Sequence, residues 1–496
     1  MKISFSGSLT SNIDLLICPV FKNDKTLKNY DIKLKKIYNE LLNDKLISGE
    51  KGESETIIKS DKNLPKKICF IGFGEKDKLL DFEPREIIGG KIKHSMSKKV
   101  KRIGLFIPSE LEKYFTDIVE GACLVNYTAA KFKTGKDSDK ANESLFDELI
   151  IIISNENKFK KAANEALVLS DAVNRVRDLV NGPPNYVNVE TFAENAKNLS
   201  KSNAFKIIVL DKRDLERMKM GAFLAVNRGS DKKGGAKMLI MEYCPKGLSK
   251  ELFKKPVLLV GKGLIFDSGG YNLKPQKGLD DMHQDKAGGA TVLGVLSVLN
   301  KLNIKRRVIG IVPLTENLLD AEAYKPSEVF TSYSGKTIEI RNTDAEGRMI
   351  LADALSYGIK MFKPEYTIDL ATLTGACMVA LGDRYAGIMG NNKKLIDDLI
   401  KCGNETDELL WELPMHRDFK EAMKGRVADI RNIDNGTSAL AGASKAAAFL
   451  EYFVEDSKWA HLDIAGVAFM EKPKAYDQAM ATGFGVRLLV NFLSKN

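Results

Sequence analysis

The sequence reads as an α/β protein in two domains, on two observations. Short runs rich in Ile, Val, Leu and Phe alternate with longer amphipathic stretches, many of them Lys-rich, which is the pattern of strands separated by helices. A helical pattern over residues 158–180, with Ala, Leu and Val on one side, then stops at Asn181-Gly182-Pro183-Pro184, a strong terminator that suits a domain connection. The expected organisation is a smaller N-terminal α/β domain over residues 1–157, a linker helix and connection over 158–188, and a larger α/β domain over 189–496.

In the first domain, residues 13–18, 67–72, 102–107 and 149–153 read as strands, and 84–88 and 118–122 as helices. No cluster of acids, metal ligands or nucleophiles accompanies them. Gly72-Phe73-Gly74 lacks the third glycine of a nucleotide-binding loop. In the second domain, 207–210, 238–241, 257–260, 308–312 and 366–370 read as strands with helical patterns between most of them. Ligand sites in such sheets lie beyond the carboxyl ends of the strands. Towards the C-terminus, 429–450 reads as a loop feeding an Ala-rich helix, and 459–466 as a strand and turn.

Length and composition bound the function. A chain of 496 residues with 44% hydrophobic and 29% charged residues is ordinary globular material with room for a large core. The net charge is +10, but the lysines are spread along the chain, so a solvated basic surface is the first reading and nucleic-acid binding the weaker one. Six cysteines show no CxxC spacing and several sit in apolar runs, which fits buried free thiols in a reducing, cytoplasmic compartment. No signal-peptide pattern opens the chain, and no apolar run approaches the ~20 residues of a membrane span.

Two charged stretches follow expected strands. Residues 336–348 run from an alternating strand into an Asn342-Thr343-Asp344 turn and then a helix with one apolar face. The turn carries Asp344, Glu346 and Arg348, which is either a solvated turn with a surface ion pair or a buried cluster that a metal or anion must compensate. After 257–260 comes Gly261-Lys262-Gly263-Leu264-Ile265-Phe266-Asp267-Ser268-Gly269-Gly270, with Lys274-Pro275 beyond it, a glycine-rich turn that lets Lys262, Asp267 and Lys274 converge. Met282-His283-Gln284-Asp285-Lys286 then opens a helix. The four histidines form no HExxH pair, so carboxylates must dominate any metal site: Asp267, Asp285, Asp344 and Glu346. On the residues alone, Lys262 reads first as an ion pair with Asp267 and His461 as a satisfied core histidine.

The NTDAEGR run and the GKGxxFDSGGxxxKP segment, in this order and spacing, resemble the M17 family of leucyl aminopeptidases, the cytosol aminopeptidases. The resemblance covers about the last two-thirds of the chain and, more weakly, the rest. It implies that the larger domain is catalytic, with a mixed central sheet flanked by helices, and that the smaller one serves assembly. It implies two divalent ions, Mn²⁺ or Zn²⁺, one on Lys262, Asp267, Asp285 and Glu346 and the other on Asp267, Asp344 and Glu346. Lys274 and Arg348 are the implied catalytic residues, Lys274 facing the developing oxyanion and Arg348 holding a bicarbonate that acts as general base. Met282, Thr372, Leu373, Gly375 and Ala465 align with the pocket for the substrate's first side chain, with Leu373 offering its carbonyl to the substrate amine. A small residue at Ala468 implies a somewhat roomier pocket that still favours Leu or Met. The implied partners are peptides and further copies of the chain in a homohexamer. The second reading is a nucleic-acid-binding regulator on the same scaffold. Lys286 departs from the family, which has an apolar residue there, and its length suggests that it reaches solvent along the helix.

Overall fold

The computed structural model describes the whole chain except residues 10–11, 59–62, 98, 234, 435–439, 473, 478–479 and 496, and the side chains of 140 and 231–233. The described residues form two compact units. One comprises Met1–Asp171 with Lys472–Ala479, and the other Ala172–Glu471 with Met480–Asn496. The division falls inside the helix Glu156–Asn181, which spans the 158–180 pattern.

The first unit is built on strands β1 (Lys2–Ser6), β2 (Leu15–Val20), β3 (Ser54–Ile58), β4 (Lys67–Gly72), β5 (Arg102–Phe106) and β6 (Glu148–Ile152), in the order β1-β6-β5-β2-β4-β3. All neighbours are parallel except β3, which runs antiparallel on the β4 edge. The fully apolar runs are the buried strands. The edge strands β1 and β3, with Ser and Glu among their residues and partial exposure, carry no comparable signal and escape the sequence reading.

The second unit carries β7 (Lys206–Leu210), β8 (Lys237–Tyr243), β9 (Val257–Gly261), β10 (Gly263–Asp267) and β11 (Val308–Asn317). A small three-stranded sheet follows with β12 (Val329–Thr331) and β13 (Thr337–Glu339). Then come β14 (Tyr366–Ala371), β15 (Ala386–Gly390), β16 (Leu410–Glu412), β17 (Ile430–Arg431), which completes the small sheet, and β18 (Trp459–Asp463). The main sheet runs β16-β15-β18-β14-β9-β11-β8-β7, with β10 added on β11. Its centre, β18-β14-β9-β11, is parallel, while β15 and β8 run antiparallel, so the sheet is mixed. The helices Ala287–Leu296, apolar on every side and wholly buried, and Gly347–Phe362, buried as far as Gly358, pack on it.

The glycine-rich segment expected as a turn is largely strand. β9 pairs with the first half of β11 and β10 with its end, from Gly263 against Leu314 to Asp267 against Asn317. Lys262 is the crossover between them. A Cβ at Gly261 would meet the carbonyl oxygen of Gly288 at 2.3 Å, so only glycine lets the helix Ala287–Leu296 approach so closely.

Five of the six cysteines are buried and free, as expected, but Cys244, just after β8, is exposed. No helix among the described residues is long and apolar enough to cross a membrane. The Ala-rich helix is Gly442–Glu451, while part of the loop expected to feed it, 435–439, lies outside the described residues.

Candidate metal centre

The charged stretches meet beyond the carboxyl ends of β9, β10, β11 and β14. Lys262 is fixed first by its backbone. Its N–H donates to the Leu370 carbonyl at 3.0 Å, and its carbonyl accepts from Gly289 N–H at 2.7 Å. The side chain then runs past Gly347, where a Cβ would lie 2.6 Å from Lys262 Cε, so glycine at the start of the helix Gly347–Phe362 keeps the passage open. Lys262 Nζ reaches Asp285 Oδ2 at 2.7 Å, Glu346 Oε1 at 2.8 Å and the Thr372 carbonyl at 3.0 Å. It does not pair with Asp267, contrary to the expected ion pair. Asp267 instead receives Lys274 Nζ at 2.9 Å, and Lys274 also contacts Asp344 Oδ1 at 2.5 Å.

The carboxylates are held by neutral donors as well. Asp267, at the end of β10, accepts from Gly269 N–H and from Asn317 Nδ2, both at 2.9 Å. Asp285 accepts the Thr372 hydroxyl at 2.6 Å. One oxygen from each of Asp267, Asp344 and Glu346 lies within 4.8 Å of the others, and Asp285 joins this triplet through the shared Lys262 ammonium. The cluster is therefore largely buried and not a solvated turn: Lys262, Asp267, Asp285 and Glu346 are each under 5% exposed, with Asp344 half-buried at its rim.

Crowding shows in the acidities. Burial, with repulsion from one another and from Glu346, pushes Asp267, Asp285 and Asp344 above the usual carboxylate range. Burial opposes the charge on Glu346 too, but Lys262 and Lys274 hold it below its ordinary value. Burial also disfavours the charge on both lysines, yet the surrounding carboxylates outweigh it and raise them well above normal. Four carboxyl groups share two ammonium groups, and Glu346 Oε2 is buried with no hydrogen-bond partner. An unmatched buried carboxylate oxygen beside two others is costly unless a cation meets it. Oxygen donors of this kind, with one amine, suit divalent ions such as Mn²⁺, Mg²⁺ or Zn²⁺.

Arg348 is the second residue of the Gly347–Phe362 helix. Its Nη1 donates to the Asn432 carbonyl at 2.7 Å, and burial lowers its pKa to about 10 against the pull of Glu346, Asp463 and Asp434. Met282 opens the turn Met282–Lys286 and is half-buried, as are Thr372, Leu373 and Ala465, while Gly375 is exposed at the start of the helix Gly375–Leu381. His461 is a core histidine as expected, but only half satisfied: its Nδ1 lies 2.6 Å from Asp369 Oδ1, while its Nε2 is buried without a hydrogen-bond partner. His283 stays peripheral, edge-on to Phe469 at 5.8 Å between ring centres.

Lys286 corrects its expectation. It is fully buried and points away from solvent, its Nζ donating to the Gly182 carbonyl at 3.1 Å and to the His283 carbonyl. Burial lowers its pKa to about 7. The Gly182 carbonyl just past the linker helix and the His283 carbonyl of its own turn take the place of water. Asn317, Asn432 and Asp463 were not singled out from sequence. The signal available was a polar residue at the end of an apolar strand run, which is weak by itself.

The residues also match known proteins. Residues 174–490 fit the model of the cytosol aminopeptidase family, catalytic domain, and 17–136 that of its N-terminal domain. A probable cytosol aminopeptidase of Geobacter sp. (strain M21) is 36% identical over 100% of this chain and 99% of its own length. One from Chloroherpeton thalassium is 44% identical over 73% of this chain and 70% of its own length. Among solved structures, the bottromycin maturation enzyme BotP in complex with Mn superposes with a TM-score of 0.83 at 25% identity, covering 97% of this chain and 99% of that one. With both domains matched in order and the carboxylate cluster in place, this chain belongs to the cytosol aminopeptidase family and is a metal-dependent exopeptidase.

Proposed function

We propose that the chain releases N-terminal residues from peptides, preferentially Leu and other apolar ones, at a centre of two divalent ions. One observation carries the reading: Asp267, Asp344 and Glu346 converge within 4.8 Å with a buried, unpartnered Glu346 oxygen, and Asp285 and Lys262 adjoin them. Lys262, Asp267, Asp285 and Glu346 would hold one ion and Asp267, Asp344 and Glu346 the other. When bound, such ions supply Lewis acidity and lower the pKa of water. BotP, a relative in fold, is described with Mn, and Mn²⁺ or Zn²⁺ is the proposed occupant here.

The protein's own groups do the rest. Lys262 acts as a donor only after giving up a proton that the bare carboxylates retain on it. Lys274, kept protonated by Asp267 and Asp344, is placed to stabilise an oxyanion developing at the scissile carbonyl. Arg348 is a rigid, water-excluded cation suited to hold a bicarbonate as the proton acceptor. The Leu373 carbonyl accepts from the substrate's free amine, which restricts cleavage to the first peptide bond. Met282, Thr372, Leu373, Gly375 and Ala465 surround the first side chain, with Ala468 leaving space for Leu or Met. Assembly as a homohexamer in the cytoplasm completes the proposal.

The test is hydrolysis of Leu-p-nitroanilide after chelation and re-addition of single metals, together with rates on Leu-, Met- and Phe-amides. Recovery by Mn²⁺ or Zn²⁺ with Leu or Met preferred supports the reading. Activity indifferent to chelation, or strong preference for a small or acidic first residue, contradicts it.

A further inference from the structure

Asp463 ends β18 and is fully buried, yet it lies outside the carboxylate cluster. Its carboxylate is instead spent on neutral donors from two chain segments. Oδ1 accepts from the backbone N–H of Leu373 at 3.2 Å, of Thr374 at 3.4 Å and of Ala465 at 3.2 Å. Oδ2 accepts the Thr374 hydroxyl at 2.6 Å. That hydroxyl oxygen in turn accepts from Cys377 N–H at 3.0 Å and so caps the helix Gly375–Leu381. Every partner of Asp463 here is a donor, and only a side chain that accepts at both oxygens satisfies them together.

The two segments are the ends of β14 and β18, neighbouring parallel strands. They carry Thr372, Leu373, Gly375 and Ala465, four of the five residues proposed to surround the substrate's first side chain. Thr372 also holds Lys262 through its carbonyl and Asp285 through its hydroxyl. One carboxylate therefore ties both pocket walls to each other and sets where the metal-side wall begins.

We infer that Asp463 is a positioning residue for substrate selection, gathering the loop after β14 and the turn after β18 into a single pocket wall. The inference rests on the pocket reading given above. Loss of the carboxylate leaves three half-buried backbone N–H groups without this acceptor, so the loop after β14 must move to find other partners. Such movement weakens grip on the first side chain more than it disturbs chemistry at the carboxylates.

Asp463→Asn keeps the shape and one acceptor oxygen. With Oδ1 kept on the backbone N–H groups, its amide faces a Thr374 oxygen that already accepts from Cys377, and the Thr374 proton loses its acceptor. Asp463→Ala removes every bond. Both are compared with the wild-type enzyme on Leu- and Ala-p-nitroanilide, with metal per subunit measured alongside. For Asp463→Asn the expected result is a KM for the Leu substrate raised about 3–10-fold, kcat within about twofold, and a Leu-over-Ala ratio of kcat/KM reduced by a similar factor. Asp463→Ala lies further in the same direction, and if it fails to fold the Asn variant decides. An unchanged ratio and KM in the Asn variant overturns the inference, as does a loss confined to kcat or to bound metal. A wild-type enzyme with no preference for Leu over Ala contradicts the pocket reading itself, before any variant is made, and the inference falls with it.

Discussion

Lys262 and Lys274 sit on the carboxylate oxygens at 2.5–2.9 Å, each bridging two acids. The two lysines differ in how they are held. Lys262 is sealed between Gly347 and the Thr372 carbonyl, whereas Lys274 keeps some exposure at the rim. That difference suits a proton-losing donor inside and a charged oxyanion partner at the edge. Lys274→Ala is therefore expected to lower kcat by about 10²–10³-fold while bound metal per subunit, measured by elemental analysis, stays the same. Metal loss in that variant would place Lys274 in the ligand set instead. At this scale the charged residues were legible in sequence because their spacing on glycine-rich turns is so specific. Lys286 was not. Nothing in its neighbours along the chain announces the Gly182 carbonyl, 104 residues away, that accepts its proton.

At the scale of elements, the ends of strands do the positioning. β11 ends at Asn317, whose amide donates to Asp267 at 2.9 Å and to the Thr343 carbonyl at 3.0 Å, joining the loops that carry Asp267 and Asp344. Asn317→Ala is expected to weaken metal binding about 10–100-fold, read by metal titration of the chelated enzyme, with the fold kept. β14 and β18 are cross-linked beneath the site by Asp369, which accepts from Trp459 Nε1 and lies against His461 Nδ1, both at 2.6 Å. Burial alone would lower the His461 pKa, but Asp369 outweighs it and raises it. A histidine whose folded pKa is raised stabilises fully below the unfolded value of about 6.5 and loses that contribution as pH rises through the folded pKa. The stability gap between wild type and His461→Gln, by urea denaturation, should thus be widest in mild acid and shrink as pH climbs. A gap that widens with pH would show the imidazole to be buried neutral. Strands such as β9, β11 and β14 were legible because they are unbroken apolar runs. β10 was read as a turn, since its bounding glycines mask a short strand that only β11 completes.

For the whole molecule, the family match spans both domains, and the acids of the cluster come together from loops of the main sheet and, for Asp344 and Glu346, from the loop after β13 of the small sheet. The α/β pattern was legible from alternation alone. The role of Asp463 was not, because its partners are backbone N–H groups that no sequence motif records. A metal that binds only the folded chain also stabilises it, by about 2.7 kcal/mol at a hundredfold excess over Kd. Chelation is therefore expected to lower the melting temperature, and Mn²⁺ or Zn²⁺ to restore it together with activity. A melting curve unmoved by chelator would mean that the carboxylates tolerate one another without a cation.

Anomalous diffraction from crystals soaked in Mn²⁺ locates the ions directly. Two peaks about 3.5–4 Å apart, shared by Asp267 and Glu346 with Asp285 on one and Asp344 on the other, are the expected result. A single peak, or none touching these four carboxylates, would contradict a two-ion centre.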